Sequence, residues 1–194
     1  MNRIRPGHAD NLDECRREAF RLLARGVADP RSPFHTPTLA TVGPDGAPSL
    51  RTVILRAFDP TLRRLSVYTD ARSAKAADIG VEPRVALHAY DAAARVQLRL
   101  TGRAALHRGD AVADAAWSSC RAQSRLCYAI EPAPGTPVDA PLPGPDDASA
   151  GRDNFVVVAI GVEAVEWLWL SADGHRRARF EWTGREPHAT WLAP

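Results

Sequence analysis

The chain has 194 residues, 45% hydrophobic and 25% charged, which is the composition of an ordinary globular protein long enough to bury one substantial core. The net charge of +2 gives no support for nucleic-acid binding, which normally requires a concentrated basic surface. No apolar run approaches the roughly 20 residues that span a bilayer, and the segment Met1 to His8 contains no apolar signal core. We therefore expect a cytoplasmic protein without membrane or nucleic-acid partners.

The cysteines argue against both disulfides and a structural metal. They are odd in number and lack the paired spacing of zinc ligands, at Cys15, Cys120 and Cys127. We therefore expect the protein to work in a reducing compartment and to bind no metal ion.

The first 33 residues are predicted to form a helix and a linker. Over residues 10–25, apolar side chains recur at helical spacing, at Leu12, Cys15, Ala19, Leu22 and Leu23. Gly26 is the predicted end of this helix, and the proline-containing segment 29–33 is the predicted linker. We expect residues 34–194 to form the main domain.

The rest of the chain is typical of a mainly β protein. Runs with strand character, separated by turn signals, cover residues 38–42, 47–57, 64–69, 84–90, 95–107, 155–170, 175–182 and 189–192. Short helices are predicted over residues 73–80 and from residue 110 to about residue 120. Residues 131–153 are rich in Pro, Gly, Asp and Ala and are predicted to be a long surface excursion. Six or more strands in this arrangement indicate an antiparallel barrel.

Two segments combine groups that bind phosphate. The first is Arg51-Thr52-Val53-Ile54-Leu55-Arg56, and the second runs from Tyr68 to Lys75 and contains Thr69, Arg72 and Ser73. Guanidinium, ammonium and hydroxyl groups match the oxygens of a phosphate monoester, and Ser73 as a helix cap would add free backbone N–H groups. The alternative is that the arginines are solvated strand ends and that the Ser-x-Lys is only a cap.

These segments, together with later ones, resemble a known family. In order and spacing, they and Gln97, the Val165 to Trp169 segment and Arg179-Phe180 resemble the pyridoxamine 5'-phosphate oxidase-like FMN-binding split barrels. The similarity runs from about residue 37 to the last residue. It implies a mainly β fold with peripheral helices, built on a six-stranded antiparallel split β-barrel. Pro132-Ala133-Pro134-Gly135 resembles the uncharacterised related subfamily more than the true oxidases.

The resemblance implies a homodimer with FMN at the subunit interface. It assigns the phosphate to Arg51, Ser73 and Lys75, with Arg72 as a further donor. It assigns the ribityl chain and the isoalloxazine ring to Thr52, Val53, Ile54, Arg56, Tyr68, Thr69 and Gln97. Trp169 and Arg179 would reach over from the partner subunit. On residue type alone, Gln97 also fits a polar residue of the barrel exterior, and a tryptophan such as Trp169 is more often a core residue than a cofactor contact.

The chain departs from the oxidases of that family at several positions. Their consecutive Arg-Lys is replaced by Ala74-Lys75, for which Arg72 or Ser73 is a substitute. Their substrate-binding Tyr, Arg and Ser are replaced by Trp117, Arg121 and Arg125, and their Arg-x-His becomes His175-Arg176-Arg177. No catalytic residue is identified, and the substrate-side candidates are Arg56, Arg121, His175 and Arg177.

The leading hypothesis is an FMN-dependent oxidoreductase acting on an unknown small molecule. One alternative is a true pyridoxamine 5'-phosphate oxidase with O2 as acceptor. The other is a non-catalytic flavin- or haem-binding protein on the same barrel, with an axial haem ligand drawn from the six histidines His8, His35, His88, His107, His175 and His188.

Overall fold

The computed structural model describes residues 6–194, so the first five residues of the predicted segment 1–33 lie outside the described residues. The helices are α1 (Leu12–Ala28), α2 (Ala74–Val81), α3 (Ala111–Ser119) and α4 (Ala122–Arg125). The strands are β1 (Thr38–Val42), β2 (Pro48–Thr52), β3 (Leu55–Asp59), β4 (Arg64–Asp70), β5 (Arg84–Asp91), β6 (Val96–His107), β7 (Phe155–Trp169), β8 (Arg176–Glu181) and β9 (His188–Leu192). The mainly β class with peripheral helices is confirmed.

The predicted strand over residues 47–57 is wrong, because it is two strands. β2 pairs with β1, whereas β3 pairs with β4. Between them, Val53 turns its side chain into the core and donates its backbone N–H to the carbonyl of Pro37 at 3.0 Å, and Ile54 is exposed. The break moves the chain from one neighbour strand to another, which a continuous apolar run does not reveal.

This break explains why the sheet is a barrel. The strand order is β2-β1-β5-β6-β7-β4-β3, so β2 and β3 lie at opposite ends of the path although only two residues separate them. A flat sheet cannot place its two edges that close together, so the sheet curls round on itself. The hairpin of β8 and β9 extends from β7 outside this path. The described residues thus form nine strands, three more than the six-stranded barrel that the resemblance implies, and the class of fold is unchanged.

Strand residues alternate between the barrel core and the outside. On β4, Leu65, Val67 and Thr69 are buried, as predicted, while the residues between them are more exposed. β6 shows the same alternation over most of its length. The largest side chain that is completely buried is Trp167 on β7. Alternation with a period of two is therefore what sorts side chains between core and surface.

Helix α1 is part of the same core as the barrel. Its predicted apolar face is buried, at Cys15, Ala19, Leu22 and Leu23, and Phe20 makes an edge contact with Phe58 of β3, with ring centroids 5.3 Å apart. The predicted end at Gly26 is wrong, since the helix continues to Ala28. A Cβ atom at Gly26 would lie 2.5 Å from the carbonyl oxygen of Phe34, so close packing, and not helix termination, requires glycine there.

Residues 131–148 contain no helix or strand, in agreement with the predicted surface excursion, and a short 3-10 helix (Ser149–Asn154) leads into β7. Over residues 6–194, no helix is long and apolar enough to cross a membrane.

Candidate functional site

The hairpin of β1 and β2 holds one cation of the site in a fixed place. The guanidinium of Arg51 donates to the hydroxyls of Thr41 and Ser49, both at 2.6 Å. Asp78 of α2 accepts a hydrogen bond from Thr41 at 2.6 Å and lies 3.6 Å from the guanidinium. Arg51 is therefore tied both to its own hairpin and to α2.

The turn between β4 and α2 holds the second cation. The ammonium of Lys75, in the first turn of α2, donates to the hydroxyl of Thr69 at 3.0 Å. That hydroxyl lies 3.1 Å from the hydroxyl of Ser73, which donates to the carbonyl of Asp70 at 2.7 Å. Two hydroxyls and an ammonium group thus meet where β4 ends and α2 begins.

The two cations lie close enough to affect each other. The pKa of Lys75 is lowered from its ordinary value, first by burial and then by the positive charge of Arg51, against a weaker opposing effect of Asp70. In the part of the chain that the structure describes, no carboxylate forms an ion pair with Lys75. A half-buried ammonium beside a guanidinium is unfavourable by itself and becomes favourable when an anion lies between them. We call Arg51, Thr69, Ser73 and Lys75 the cationic cradle.

Ser73 occupies the cap position of α2, but its side chain does not cap the helix. No hydrogen bond runs from a backbone N–H of the first turn to its hydroxyl, which instead bonds back to Asp70. Ser73 therefore stands at the cap position that the sequence indicated, but its hydroxyl is engaged by Asp70 and not by the helix. The first N–H groups of α2 are not used by that side chain, and they lie beside Lys75.

Arg72 is directed elsewhere. Its Nε and Nη2 atoms bind both carboxylate oxygens of Asp70, at 3.0 and 2.8 Å, and Nη2 also donates to the carbonyl of Ile130 at 2.9 Å. Its Nη1 atom binds Glu131. The structure does not bring Arg72 into the cradle, so we omit it from the proposed phosphate donors.

Most residues predicted to line the flavin directly follow Arg51 in the chain. Their side chains differ in how far they are exposed to solvent. Thr52 and Ile54 are exposed, whereas Val53 is buried. The guanidinium of Arg56 lies over the ring of Tyr68, 5.5 Å from its centroid. Burial raises the pKa of the Tyr68 phenol.

Tyr68 belongs to an aromatic cluster on the outside of the barrel. Its ring centroid lies 4.9 Å from that of Phe155, which lies 5.2 Å from Trp117 and 5.0 Å from Tyr128. Together with Arg56, the cluster forms a partly apolar wall beside the Thr52 to Arg56 segment.

Gln97 and Arg179 lie on the outer face of the sheet, in a different part of the molecule. Gln97 accepts or donates a hydrogen bond with His88 at 3.1 Å. Arg179 binds Glu181 at 2.7 Å and lies 3.5 Å from Glu166. Within the described chain no contact joins them to the cradle. Any role at a flavin would therefore require a second subunit.

Trp169 lies in the core, with only 6% of its surface exposed, so packing inside the barrel accounts for it. The expectation that it reaches over to a partner's cofactor does not agree with this position. We leave Trp169 out of the proposed contacts.

The substrate-side candidates are spread over two regions. Arg121 is exposed at the start of α4, and the neighbouring Arg125 stacks on Trp117 at 5.0 Å. On the C-terminal hairpin, Arg177 binds Glu166 at 2.7 Å. His175 accepts a hydrogen bond at Nδ1 from the backbone N–H of Ser171, at 3.0 Å. Neutral His175 therefore carries its proton on Nε2, and the ring fastens its own turn.

The other histidines bear on the haem alternative. His35 donates to the carbonyl of Gly26 at 2.6 Å, and His107 lies 2.8 Å from Asp110. Across residues 6–194, no group of three or more His, Cys, Asp or Glu side chains is placed to hold a metal ion. No observation singles out an axial haem ligand, and that alternative stays a prediction.

Sequence reasoning missed three residues that shape the cradle, Thr41, Ser49 and Asp78. Asp78 lies one helical turn after Lys75, so the helical period alone could have placed it on the same face. Thr41 and Ser49 face each other across the β1–β2 hairpin. That pairing could have been found by aligning the two arms of the hairpin on the Gly43 to Gly46 turn.

The comparisons with known proteins agree with this architecture. Residues 18–108 match the family model described as pyridoxamine 5'-phosphate oxidase, FMN-binding domain. A pyridoxine/pyridoxamine 5'-phosphate oxidase of Azorhizobium caulinodans is 38% identical over 89 residues, which are 44% of this chain and 41% of that protein. The chain thus matches well under two thirds of that relative. Pyridoxine/pyridoxamine 5'-phosphate oxidase 2 of Arabidopsis thaliana is 27% identical over 70% of this chain and 73% of its own.

Two solved structures share the fold over nearly the whole chain. A pyridoxamine 5'-phosphate oxidase-related, FMN binding protein of Nostoc punctiforme is 27% identical, with a TM-score of 0.76 over 92% of this chain and 96% of its own. PhzG of Burkholderia lata, solved with tetrahydrophenazine-1-carboxylic acid, is 19% identical, with a TM-score of 0.75 over 100% of this chain and 99% of its own. Over residues 18–108 the sequence matches the pyridoxamine 5'-phosphate oxidase FMN-binding domain family, and the chain has the fold of the pyridoxamine 5'-phosphate oxidase-related split barrels.

Proposed function

We propose that the protein is an FMN-binding flavoprotein and works as an FMN-dependent oxidoreductase. The observation that carries this proposal is the cationic cradle, in which Arg51 and Lys75 lie close together and Lys75 lacks a carboxylate partner in the described chain. Such a site is suited to a dianion, and the phosphate of FMN is one. The match to a family model for an FMN-binding domain supports the choice of this particular anion.

The donor chemistry of the cradle fits a phosphate monoester. Arg51, Lys75 and the hydroxyls of Thr69 and Ser73 supply N–H and O–H donors, and the first N–H groups of α2 lie beside them. A helix N-terminus adds a favourable partial positive charge. Each charge-assisted hydrogen bond contributes about 1.5–3 kcal/mol, so three or four of them could account for binding at about micromolar concentration or tighter.

The segment after Arg51 would then hold the rest of the cofactor. Thr52, Ile54 and the neighbouring Tyr68 would line the ribityl chain and the ring, because they follow directly from the cradle along the chain and across β3 and β4. Val53, whose side chain is buried in the core, would contribute only its backbone. Bound FMN would supply the hydride chemistry. The guanidinium of Arg56, which Tyr68 holds at 5.5 Å, would favour negative charge developing on the ring.

We further propose that the protein acts as a cytoplasmic homodimer. In such a dimer, Gln97 and Arg179, which lie on the outer face of the sheet, would act at the flavin of the other subunit, as the resemblance to the family implies. Glu166 lies 2.7 Å from Arg177, 3.4 Å from Arg99 and 3.5 Å from Arg179, and so holds this basic face in order.

The absorption spectrum of the purified protein, before and after addition of FMN and desalting, tests the proposal. We expect the two flavin bands to be retained after desalting, with one FMN per chain. A protein that stays colourless after loading would rule out FMN as the resident cofactor. A Soret band in its place would favour the haem alternative.

The second candidate is a true pyridoxamine 5'-phosphate oxidase, which the names of the relatives favour. Against it, Trp117 and Arg125 stand where the oxidases carry their substrate-binding Tyr and Ser, and Arg125 is stacked on Trp117. Incubation of the FMN-loaded protein with pyridoxamine 5'-phosphate in air decides between them. Formation of pyridoxal 5'-phosphate and hydrogen peroxide would establish the oxidase, and no turnover would point to another substrate.

A further inference from the structure

Arg72 is the most heavily bonded cation near the cradle, although it makes no contact with it. Its guanidinium binds both oxygens of the buried carboxylate of Asp70 and the carbonyl of Ile130 at 2.9 Å, and it also binds Glu131. A bidentate pair of this kind fixes the guanidinium in one orientation. Arg72 therefore joins two segments that are 59 residues apart in the chain.

Both segments matter for the proposed site. Asp70 begins the turn that carries the cradle hydroxyl of Ser73, and the carbonyl of Asp70 accepts from Ser73 at 2.7 Å. Ile130 and Glu131 begin the long surface excursion. Asp70 thus holds the cradle turn through its backbone carbonyl, and its carboxylate holds the excursion through Arg72.

The far end of the excursion is fastened to the same turn. The backbone N–H of Ala71 donates to the carbonyl of Asn154 at 2.7 Å, and the side chain of Asn154 donates to the carbonyl of Tyr128 at 2.9 Å. The turn from Asp70 to Ser73 therefore contacts the residues on both sides of the 131–153 excursion. Contacts at both ends of the excursion thus join it to this turn.

We infer that Arg72 is a positioning residue, which locks the cradle turn to the base of the 131–153 excursion and so couples FMN binding to the order of that excursion. The inference rests on the proposed function. A ligand that needs the turn in one conformation binds more tightly when that conformation is already fixed. By thermodynamic reciprocity, the bound ligand stabilises the excursion to the same extent.

The substitution Glu131→Gln distinguishes this role from direct phosphate binding. The Glu131 side chain is 73% exposed, so its replacement is not expected to disturb folding. If Arg72 were a phosphate donor, loss of its competing carboxylate would free it and FMN would bind more tightly. If Arg72 is a positioning residue, it holds the turn less firmly in Glu131→Gln than in the wild type. The dissociation constant of FMN would then rise about two- to fivefold, as expected for the loss of one exposed ion pair.

The measurement combines FMN titration, followed by quenching of flavin fluorescence, with backbone hydrogen exchange. In the wild-type protein, FMN should slow exchange in residues 131–153, and Glu131→Gln should reduce that protection. In an Arg72→Gln background, Glu131→Gln should have no further effect on the dissociation constant. Asp13→Asn, which removes a pair with Arg16 at 3.6 Å on α1 and replaces a carboxylate side chain that is 69% exposed, should leave FMN binding and exchange unchanged.

The outcomes separate the two proposals. Wild-type protein that binds no FMN would overturn the proposed function and this inference with it. If the wild type binds FMN, the inference alone is overturned when Glu131→Gln leaves the dissociation constant unchanged or lowers it. It is also overturned when Glu131→Gln raises the dissociation constant equally in the wild type and in the Arg72→Gln variant, or when FMN does not change the rate of hydrogen exchange in residues 131–153.

Discussion

Lys75 is the only lysine in the chain, and the structure places it in the cradle with its ammonium 3.0 Å from Thr69. All other positive side chains are arginines, so the site contains the single compact ammonium of the molecule. At this scale the sequence was informative, because Arg51, Ser73 and Lys75 were predicted to act together and the structure brings them together.

Removal of the ammonium group measures its contribution. We expect Lys75→Ala to raise the dissociation constant of FMN about ten- to a hundredfold, because one charge-assisted contact is lost. Isothermal titration calorimetry of both proteins gives the ratio, and far-ultraviolet circular dichroism confirms that the variant is folded. An unchanged dissociation constant would remove Lys75 from the site.

The pH dependence of binding follows from the lowered pKa of Lys75. An anion favours the charged amine, so binding raises this pKa again, and affinity is highest below the pKa of the free protein and falls as the pH rises through it. We expect FMN to bind progressively more weakly at alkaline pH, beginning below the ordinary pKa of a lysine side chain, a range in which the phosphate itself no longer titrates. Lys75→Ala should abolish the slope, and a wild-type affinity that is constant over this range would contradict the assignment.

Arg72 shows where residue-level reasoning from the sequence stopped. Its neighbours Asp70 and Ser73 are close in the chain, but Glu131 and Ile130 are not, and they decide where its guanidinium points. Residue type predicted a cation near phosphate. Only the long-range packing showed that this cation is already engaged.

At the scale of the elements, the strand pattern predicted most of the sheet but not its interruptions. β4, β5, β6 and β7 lie within a residue or so of their predicted bounds. Alternation of apolar and polar residues marks the first three, and β7 begins with a continuous apolar run that is buried throughout. The break between β2 and β3 was not predictable, since Val53 and Ile54 are as suited to a strand as their neighbours. A change of pairing partner leaves no local signal in such a run.

The irregularity between β6 and β7 gives a prediction with a matched control. The register shifts between Thr101 and Gly102, where a Cβ atom on Gly102 would lie 2.0 Å from the carbonyl oxygen of Gly161. We expect Gly102→Ala to lower the free energy of unfolding by about 1–3 kcal/mol, through forced displacement of the backbone.

Gly161→Ala is the control at the same irregularity. Its Cβ atom would lie 3.8 Å from the carbonyl oxygen of Arg103, which is an ordinary van der Waals contact. Urea unfolding of both variants should show a clearly larger loss for Gly102→Ala. Equal losses would mean that the close approach does not determine the stability of this part of the sheet.

At the scale of the whole molecule, the sheet closes because β2 and β3 lie at its two edges and are joined by only two residues. Helix α1 packs against the core of this barrel. The amphipathic pattern predicted the apolar face of α1, but it did not reveal that this face joins the barrel core. Assembly is harder to predict from the sequence than the fold, because Gln97 and Arg179 would contact the proposed site only in a second subunit. A single sequence has no pattern that pairs them with Arg51.

The contribution of α1 to the core can be measured directly. Leu22 is 3% exposed in the shared core, so Leu22→Ala should lower the free energy of unfolding by about 2–4 kcal/mol. Leu62, which is 57% exposed, is the control, and Leu62→Ala should change it by less than about 0.5 kcal/mol. We expect urea to unfold the whole chain in one transition. If Leu22→Ala changes the free energy of unfolding as little as Leu62→Ala does, α1 does not contribute to the core of the barrel.

The most direct test of the central claim is to compare the affinity of the wild-type protein for FMN and for riboflavin, which has the same ring and ribityl chain but no phosphate. If the cationic cradle holds the phosphate, FMN should bind about a hundredfold more tightly or better, since two or more charge-assisted contacts are absent with riboflavin. Equal affinities would contradict the account, because the cradle would then contribute nothing to flavin binding.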